Sequence, residues 1–208
     1  MAYSLTLENI TKLFGRQLVF KNINYHFEAG KTYGFAGSNG SGKSTLTKII
    51  AGVLAPNKGK VIHKTNDSNI PPEKLHEYIG FVSPYLILYD EFTALENLLY
   101  FASIRGIKFD EERTKHLFNL FKLYNRRNDL LKGFSSGMKQ RMKYIFALQH
   151  NPKLLLLDEP TSNLDEEGKE KVYEIIKLEE EKNVVIVASN EKKDLELCAD
   201  ILEVENYK

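Results

Sequence analysis

Apolar and polar side chains alternate over the first part of the chain, and short apolar runs follow it. Residues 4–10 (SLTLENI) and 18–30 (LVFKNINYHFEAG) alternate in the way that is typical of half-buried strands. Shorter apolar segments predict further strands at 31–37, 59–64, 78–83, 153–158, 183–189 and 200–206. The pattern therefore predicts strands from near the start of the chain to its end.

Segments with helical spacing separate these strands. Residues 43–54 (KSTLTKIIAGVL) have this spacing, and the pattern is helical over the long block 93–149. Residues 166–182 (EEGKEKVYEIIKLEEEK) predict a charged helix between two apolar strands. Strand–helix–strand order with apolar strands predicts an α/β fold with a mainly parallel central sheet.

The order of the elements also predicts how the domain is organised. The alternating N-terminal strands predict an antiparallel β layer beside the parallel sheet. The helical block, 85–150, interrupts the strands and predicts an inserted α-helical subdomain. We expect one discontinuous domain over residues 1–208, whose core consists of 1–84 and 151–208.

Composition narrows the class of protein. The 208 residues are 42% hydrophobic and 27% charged, with a formal net charge of +1, so no strong field steers the chain toward nucleic acid. The N-terminus lacks a signal-peptide pattern, and no window approaches the roughly 18 apolar residues of a spanning helix. A single cysteine, Cys198, permits no internal disulfide and is expected to be a packing residue. We expect a cytosolic domain.

A phosphate-binding loop lies between a predicted strand and a predicted helix. GSNGSGKST fits G-x-x-x-x-G-K-[ST], with Gly37, Gly42, Lys43 and Ser44 at the fixed positions. The rest of the loop consists of Ser38, Asn39, Gly40, Ser41 and Thr45. Glycines allow the backbone N–H groups to surround phosphate oxygens, and the helix N-terminus attracts the same anion. Lys43 is expected to bridge the terminal phosphates and Ser44 to ligate Mg²⁺, so the loop predicts a P-loop NTPase core that binds ATP.

Two adjacent carboxylates end the run KLLLLDE (153–159), where a buried strand should stop. A Mg²⁺–nucleotide complex needs a carboxylate delivered from a neighbouring strand end. Asp158 fits this role and would orient the cation either directly or through a water. Glu159 should point elsewhere, and either orient or deprotonate a water that attacks the γ-phosphate.

Four segments resemble motifs of the ATP-binding cassette (ABC) family. FSSGMKQR, residues 134–141, resembles the L-S-G-G-Q signature, and DEPTSNLD resembles the end of the Walker B motif with the D-loop. LFGR, which contains Phe14, resembles the A-loop, whose aromatic ring stacks on adenine. YLILYDEFTALENLLYF, which begins at Tyr85, resembles the stretch after the Q-loop. The motifs occur in the family's order and cover essentially the whole chain.

The resemblance implies a head-to-tail dimer, either a homodimer or a heterodimer, with two ATP molecules at its interface. Each site would join the Walker motifs of one subunit to the signature of the other, here Ser135, Ser136 and Gly137. These residues begin a predicted helix, whose free N–H groups and dipole attract a γ-phosphate. Ser135 can also serve as the N-cap of that helix.

Four positions depart from the family's pattern. Ser136 replaces one of the two signature glycines, and Met138 replaces the glutamine of the signature. Pro84 occupies the Q-loop glutamine position, where it can neither ligate Mg²⁺ nor hold a water. Asn190 occupies the switch histidine position and can hydrogen-bond a phosphate, but it cannot carry a proton at neutral pH. With Lys43 and Glu159 intact, we expect ATP binding with slower or differently coupled hydrolysis.

Two functions fit the resemblance. In the first, the chain is the ATPase subunit of an ABC transporter and lies on the inner face of the membrane through a separate permease. The apolar segments 85–89 and 94–101 would partly line the permease groove and partly pack inside the subdomain. In the second, it is a soluble ABC-type ATPase that acts on ribosomes, nucleic acid or cluster assembly, although it lacks the paired cassettes or insertions usual there. A phosphate-loop kinase would leave the signature and D-loop unexplained.

Overall fold

The computed structural model describes residues 3–66 and 68–208, which form two β-sheets with helices packed around them. The first sheet is antiparallel and has the order β2-β1-β4-β5. Its strands are β1 (Tyr3–Phe14), β2 (Gln17–Glu28), β4 (Lys58–Thr65) and β5 (Ser68–Asn69). The alternating N-terminal pattern therefore predicted this layer correctly, because one face of each long strand is buried and the other is exposed.

The second sheet is parallel and has the order β6-β7-β8-β3-β9. Its strands are β3 (Lys31–Ala36), β6 (Ile79–Val82), β7 (Leu154–Asp158), β8 (Val184–Ala188) and β9 (Asp200–Glu203). Because parallel strands end at the same edge of a sheet, the segments after β3, β6, β7 and β8 come together there. They carry the phosphate loop, Pro84, Glu159 and Asn190.

The four leucines of β7 are buried on both faces of the parallel sheet. Leu154 and Leu156 belong to a core shared with the antiparallel sheet, while Leu155 and Leu157 belong to a core shared with the helices. Side chains alternate between the two faces of a strand, and each face of this sheet is covered. A continuous apolar run is the consequence, and it carries Asp158 at 0% exposure to the strand's end.

The α-helices are α1 (Lys43–Ile50), α2 (Leu75–Tyr78), α3 (Ala94–Ile104), α4 (Glu111–Leu120), α5 (Ser136–Leu148), α6 (Glu166–Glu180) and α7 (Lys192–Leu195). Short 3₁₀ helices lie at Pro72–Lys74, Tyr124–Arg126, Leu131–Gly133 and Val204–Tyr207. Among the described residues, none of the helices combines the length and apolarity needed to cross a bilayer.

Some boundaries differ from those expected. The first helix ends at Ile50 and not at residue 54, because Gly52 adopts a φ of 74° and turns the chain out of the helix. The last strand ends at Glu203, and the following residues form a 3₁₀ helix. Within the helical block, α3 starts at a capping box in which Thr93 and Glu96 bond each other's backbone N–H groups. The α/β fold class is confirmed, whereas the division into a core and a helical subdomain stays a prediction.

Candidate active site

The phosphate loop joins β3 to α1 and depends on glycine at its two ends. Gly37 has a φ of 141° and Gly42 a φ of 113°, both in the region that side chains disfavour. A Cβ atom at Gly37 would lie 2.7 Å from Ser41 Oγ, and one at Gly42 would lie 2.7 Å from Val19 Cγ1. Space as well as backbone conformation therefore requires glycine at both positions.

Lys43 is buried within this loop at 5% exposure. Its Nζ donates hydrogen bonds to Gly37 O at 2.7 Å and to Ser38 O at 3.2 Å. An ammonium group has three protons, so one remains for an anion in the loop. The two carbonyl contacts fix the position of the charge.

Ser44 and Asp158 meet at the base of the loop. The Ser44 hydroxyl donates to Asp158 Oδ1 at 2.8 Å. Burial raises the pKa of the Asp158 carboxyl, and the hydrogen bond from Ser44 acts in the opposite direction. In the described ranges, no three His, Cys, Asp or Glu side chains group as metal ligands. One hydroxyl and one carboxylate fit Mg²⁺, which takes few protein ligands and completes its shell with water and phosphate.

Glu159 follows in a left-handed backbone conformation with a φ of 50°. Such a conformation costs a non-glycine residue on the order of 1 kcal/mol. Its N–H donates to Ala188 O at 2.9 Å, which fixes the turn against β8. Burial raises the pKa of the Glu159 carboxyl, Asp158 raises it further, and the Lys43 charge opposes both.

One open cleft of about 560 Å³ brings most of the predicted site residues together. Phe14 lies at its rim with its side chain 53% exposed, and Lys12 Nζ is 5.0 Å from the ring centroid. Asn190 enters from the end of β8 and donates from Nδ2 to Asn39 Oδ1 at 3.2 Å. The lining comprises Phe14, Gln17, Val19, Asn39, Gly40, Gly42, Lys43, Ser44, Thr45, Pro84, Tyr85, Glu159 and Asn190.

The signature residues lie elsewhere on the molecule. Ser135 is the N-cap of α5, and its Oγ accepts a hydrogen bond from Met138 N at 3.2 Å. Ser136 lines a second cleft together with Asn163, and a Cβ atom at Gly137 would lie 3.2 Å from Asn163 O. Among the residues described, the signature side chains do not line the cleft of the phosphate loop. Within a single chain the two parts of the predicted site therefore stay separate.

Sequence reasoning missed a buried carboxylate that connects the two catalytic segments. Asp194 of α7 is 1% exposed. It accepts hydrogen bonds from three hydroxyl groups, those of Ser189 (2.7 Å), Tyr173 (2.9 Å) and Thr161 (3.2 Å). Thr161 lies two residues after Glu159, and Ser189 directly precedes Asn190. No local pattern marks Asp194, because its partners come from three different elements.

Glu205 is a second residue that the sequence did not indicate. It accepts hydrogen bonds from the N–H of Ser38, at 3.0 Å, and from the Ser38 hydroxyl. The 3₁₀ helix at the end of the chain therefore holds the start of the phosphate loop from outside. The sequence also did not indicate the contact of Lys143 with Ser83 and Pro84 in the turn after β6.

Similar proteins identify the family. A model of the family described as "ABC transporter" matches residues 20–162. The chain belongs to the ABC transporter family. It is 32% identical over 199 residues to the linearmycin resistance ATP-binding protein of Bacillus subtilis, covering 94% of this chain and 64% of that protein. It is 31% identical to a lantibiotic transport ATP-binding protein of Streptococcus pyogenes, covering 95% of this chain and 85% of that protein.

A solved structure of an ABC ATP-binding cassette agrees with the fold. It is a dimer in a post-hydrolysis state bound to ADP and Pi, and it is 26% identical to this chain. The TM-score is 0.83, over 97% of this chain and 95% of that one. The family assignment and the α/β fold that the sequence predicted are therefore both confirmed.

Proposed function

We propose that the chain is the ATP-binding and ATP-hydrolysing subunit of an ABC transporter, and that ATP-dependent dimerisation drives a separate permease. The observation that carries this proposal is the single cleft in which Phe14, Lys43, Ser44 and Glu159 meet at one edge of the parallel sheet. Asp158 lies behind Ser44, to which it is bonded. The relatives named for linearmycin resistance and lantibiotic transport support a role in transport.

Each residue of the cleft has a distinct part in this proposal. Phe14 stacks on adenine, while the loop N–H groups and Lys43 bind the phosphates. Ser44 and Asp158 would hold Mg²⁺, which neutralises phosphate charge when bound. Glu159 orients the attacking water and accepts its proton.

The signature of a second cassette completes the site. Ser135, Ser136 and Gly137 are proposed to contact the γ-phosphate bound in the partner, because they begin α5 and offer free N–H groups. Hydrolysis is proposed to be slow. Pro84 has no ligand to offer, and Asn190 cannot take up a proton.

An exposed apolar surface supports a membrane partner. Ile87, Leu99, Tyr100 and Ile104 are between 43% and 83% exposed and lie after β6 or on α3. Leu88, Ala94 and Leu98, from the same segments, are buried in the core. An apolar patch of this kind is typical of a protein interface, and we propose that a permease covers it. The chain would then lie on the inner face of the membrane.

The direct test of ATP binding is Lys43→Ala. One charge-assisted hydrogen bond to phosphate, of roughly 1.5–3 kcal/mol, is lost, so affinity for Mg-ATP should fall about 10- to 150-fold. Affinity is measured by titrating a fluorescent ATP analogue, and circular dichroism checks the fold. Lys60→Ala removes an exposed lysine of β4 outside the cleft and should bind as the unaltered chain does. Undiminished affinity in Lys43→Ala would contradict the assignment of the phosphate loop.

A further inference from the structure

The turn after β6 places a hydroxyl group, and not the side chain of Pro84, beside the carboxylate of Asp158. Ser83 is 3% exposed, and its Oγ lies 3.5 Å from Asp158 Oδ2. The same Oγ accepts a hydrogen bond from Tyr85 N at 3.3 Å, so the hydroxyl proton is directed toward the carboxylate. Ser44 contacts the other oxygen, Oδ1, at 2.8 Å. Asp158 is therefore flanked by two hydroxyl oxygens that come from different elements.

The spacing of these oxygens matches the edge of a small octahedral ion site. Mg²⁺ binds oxygen at about 2.0–2.1 Å, so neighbouring ligands around it lie about 3 Å apart. The distances of 2.8 Å and 3.5 Å from the Asp158 oxygens to Ser44 and Ser83 bracket that value. Hydroxyl and carboxylate oxygens are the hard ligands that this ion prefers.

Helix α5, which begins at the signature residues, holds this turn in place through Lys143. Its Nζ donates to Ser83 O at 3.0 Å and to Pro84 O at 3.0 Å. Burial lowers the pKa of Lys143, and within the described ranges its ammonium group forms no ion pair. Partial burial of a cation is costly unless it is well bonded, and here the bonding is to two successive carbonyls of one turn.

A neighbouring lysine on the same helix illustrates the difference. Lys139 lies one turn before Lys143 on α5 and forms an ordinary ion pair with Asp90, at 2.7 Å. Such partly exposed pairs contribute little to stability. Lys143 instead donates to the backbone carbonyl groups of Ser83 and Pro84.

We propose that Ser83 supplies a third oxygen at the magnesium site and that Lys143 is a positioning residue that holds Ser83 there. The pair thereby replaces the ligand that Pro84 cannot provide. The inference rests on the proposed function, because it concerns the cation bound with ATP. It also implies that cation binding depends on α5, whose first turn is proposed to contact the partner's nucleotide.

The test compares the Mg²⁺ dependence of nucleotide binding in Ser83→Ala and Lys143→Met with that of the unaltered chain. A fluorescent ATP analogue is titrated at a series of Mg²⁺ concentrations, including none, with EDTA present. Each variant should raise the Mg²⁺ concentration for half-maximal affinity about 5- to 10-fold, the effect of one polar contact. Affinity without Mg²⁺ should stay unchanged. The double variant should shift no further than the larger single shift, because both act through one turn.

Matched variants distinguish positioning from a general structural effect. Lys139→Met removes a lysine one turn away and should leave the Mg²⁺ midpoint unchanged. Ser83→Thr keeps a hydroxyl and Lys143→Arg keeps a donor, so both should bring the Mg²⁺ midpoint most of the way back to that of the unaltered chain. If Lys143→Met does not fold, Ser83→Ala still decides the question.

An unchanged Mg²⁺ midpoint in Ser83→Ala would overturn the proposal. An equal loss of affinity with and without Mg²⁺ would also overturn it, because the effect would then lie in the phosphate loop. Failure of the proposed function gives a different result, because the unaltered chain would then show no binding of the ATP analogue that depends on Lys43.

Discussion

Asn190 and Glu159 enter the same cleft from neighbouring strands, but they differ in whether they can carry a proton. Glu159 is a carboxylate whose pKa is raised by burial, so its ionised form is lost at a higher pH than that of an exposed glutamate. Asn190 has no titrating group, and its amide already donates to Asn39. Proton transfer in the proposed reaction therefore rests on Glu159.

This difference predicts a slow ATPase whose rate varies little between pH 6 and 8. Asn190→His should raise the steady-state rate, by about 10-fold or more if the imidazole reaches the phosphate. It should also introduce a new inflection near the ordinary histidine pKa of about 6.5. The measurement is a phosphate-release assay across this pH range.

Pro84 is the competing reason for slow hydrolysis, and Pro84→Gln distinguishes it from Asn190. If positioning of the cation and water limits the rate, Pro84→Gln alone should recover it, and Asn190→His should not. A fast unaltered enzyme with a histidine-like pH profile would show that residue 190 is not the switch position, and His150 would then need testing.

At the scale of elements, a buried histidine, His63, and a partly buried one, His150, join neighbouring segments. His63 of β4 accepts or donates a hydrogen bond with the Tyr3 hydroxyl of β1, at 2.6 Å. His150, after α5, contacts Arg105 at 2.9 Å and Ile79 O at 3.1 Å. Burial lowers the pKa of His63 to about 4 and that of His150 to about 3. Both imidazoles are therefore neutral in the folded protein at pH 5.

These pKa values predict a loss of stability on acidification. Unfolded histidine takes up a proton near pH 6.5, whereas the folded state does not, so the stability present above pH 6.5 is lost as the pH falls. At pH 5 the buried His63 should therefore cost about 2 kcal/mol of unfolding free energy. His63→Gln should remove about 2 kcal/mol of the loss between pH 7 and pH 5, measured by urea unfolding.

A histidine on the surface provides the control. His116→Gln replaces an exposed side chain of α4 and serves as the matched histidine substitution. The decisive quantity is the difference between the two pH values, because His63→Gln also changes the contact with Tyr3 at every pH. Equal losses in His63→Gln and the unaltered chain would contradict burial of a neutral imidazole.

The elements themselves could be predicted well wherever one segment carries the whole signal. The run 153–158 predicts a strand because it is continuously apolar, which follows from the cover on both faces of β7. Gly37–Thr45 is a contiguous motif whose glycines are required locally. The contact between Ser83 and Lys143 could not be predicted. Sixty residues separate them, and neither belongs to a repeated pattern. The role of Asp194 could not be predicted for the same reason, since its hydroxyl partners come together only after folding.

At the scale of the whole molecule, the two halves of the proposed ATP site lie on different clefts of one chain. The phosphate loop, Glu159 and Asn190 line one cleft, and Ser136 lines the other with Asn163. A cassette structure with 26% identity and a TM-score of 0.83 is a dimer with ADP and Pi bound. We therefore propose that two chains complete each other's sites, and that ATP holds them together until it is cleaved.

Glu159→Gln should make this dimer persist. The substitution keeps the size of the side chain but removes its charge and its ability to accept the proton of water, so ATP should bind and remain uncleaved. Light scattering with Mg-ATP should then report twice the mass of the monomer, whereas the unaltered chain should form the dimer only transiently. Combining Glu159→Gln with Lys43→Ala should return the monomer, because the nucleotide that joins the subunits is lost. A Glu159→Gln chain that binds ATP to saturation and stays monomeric would contradict self-sufficient dimerisation and would indicate that a different cassette or the permease is required.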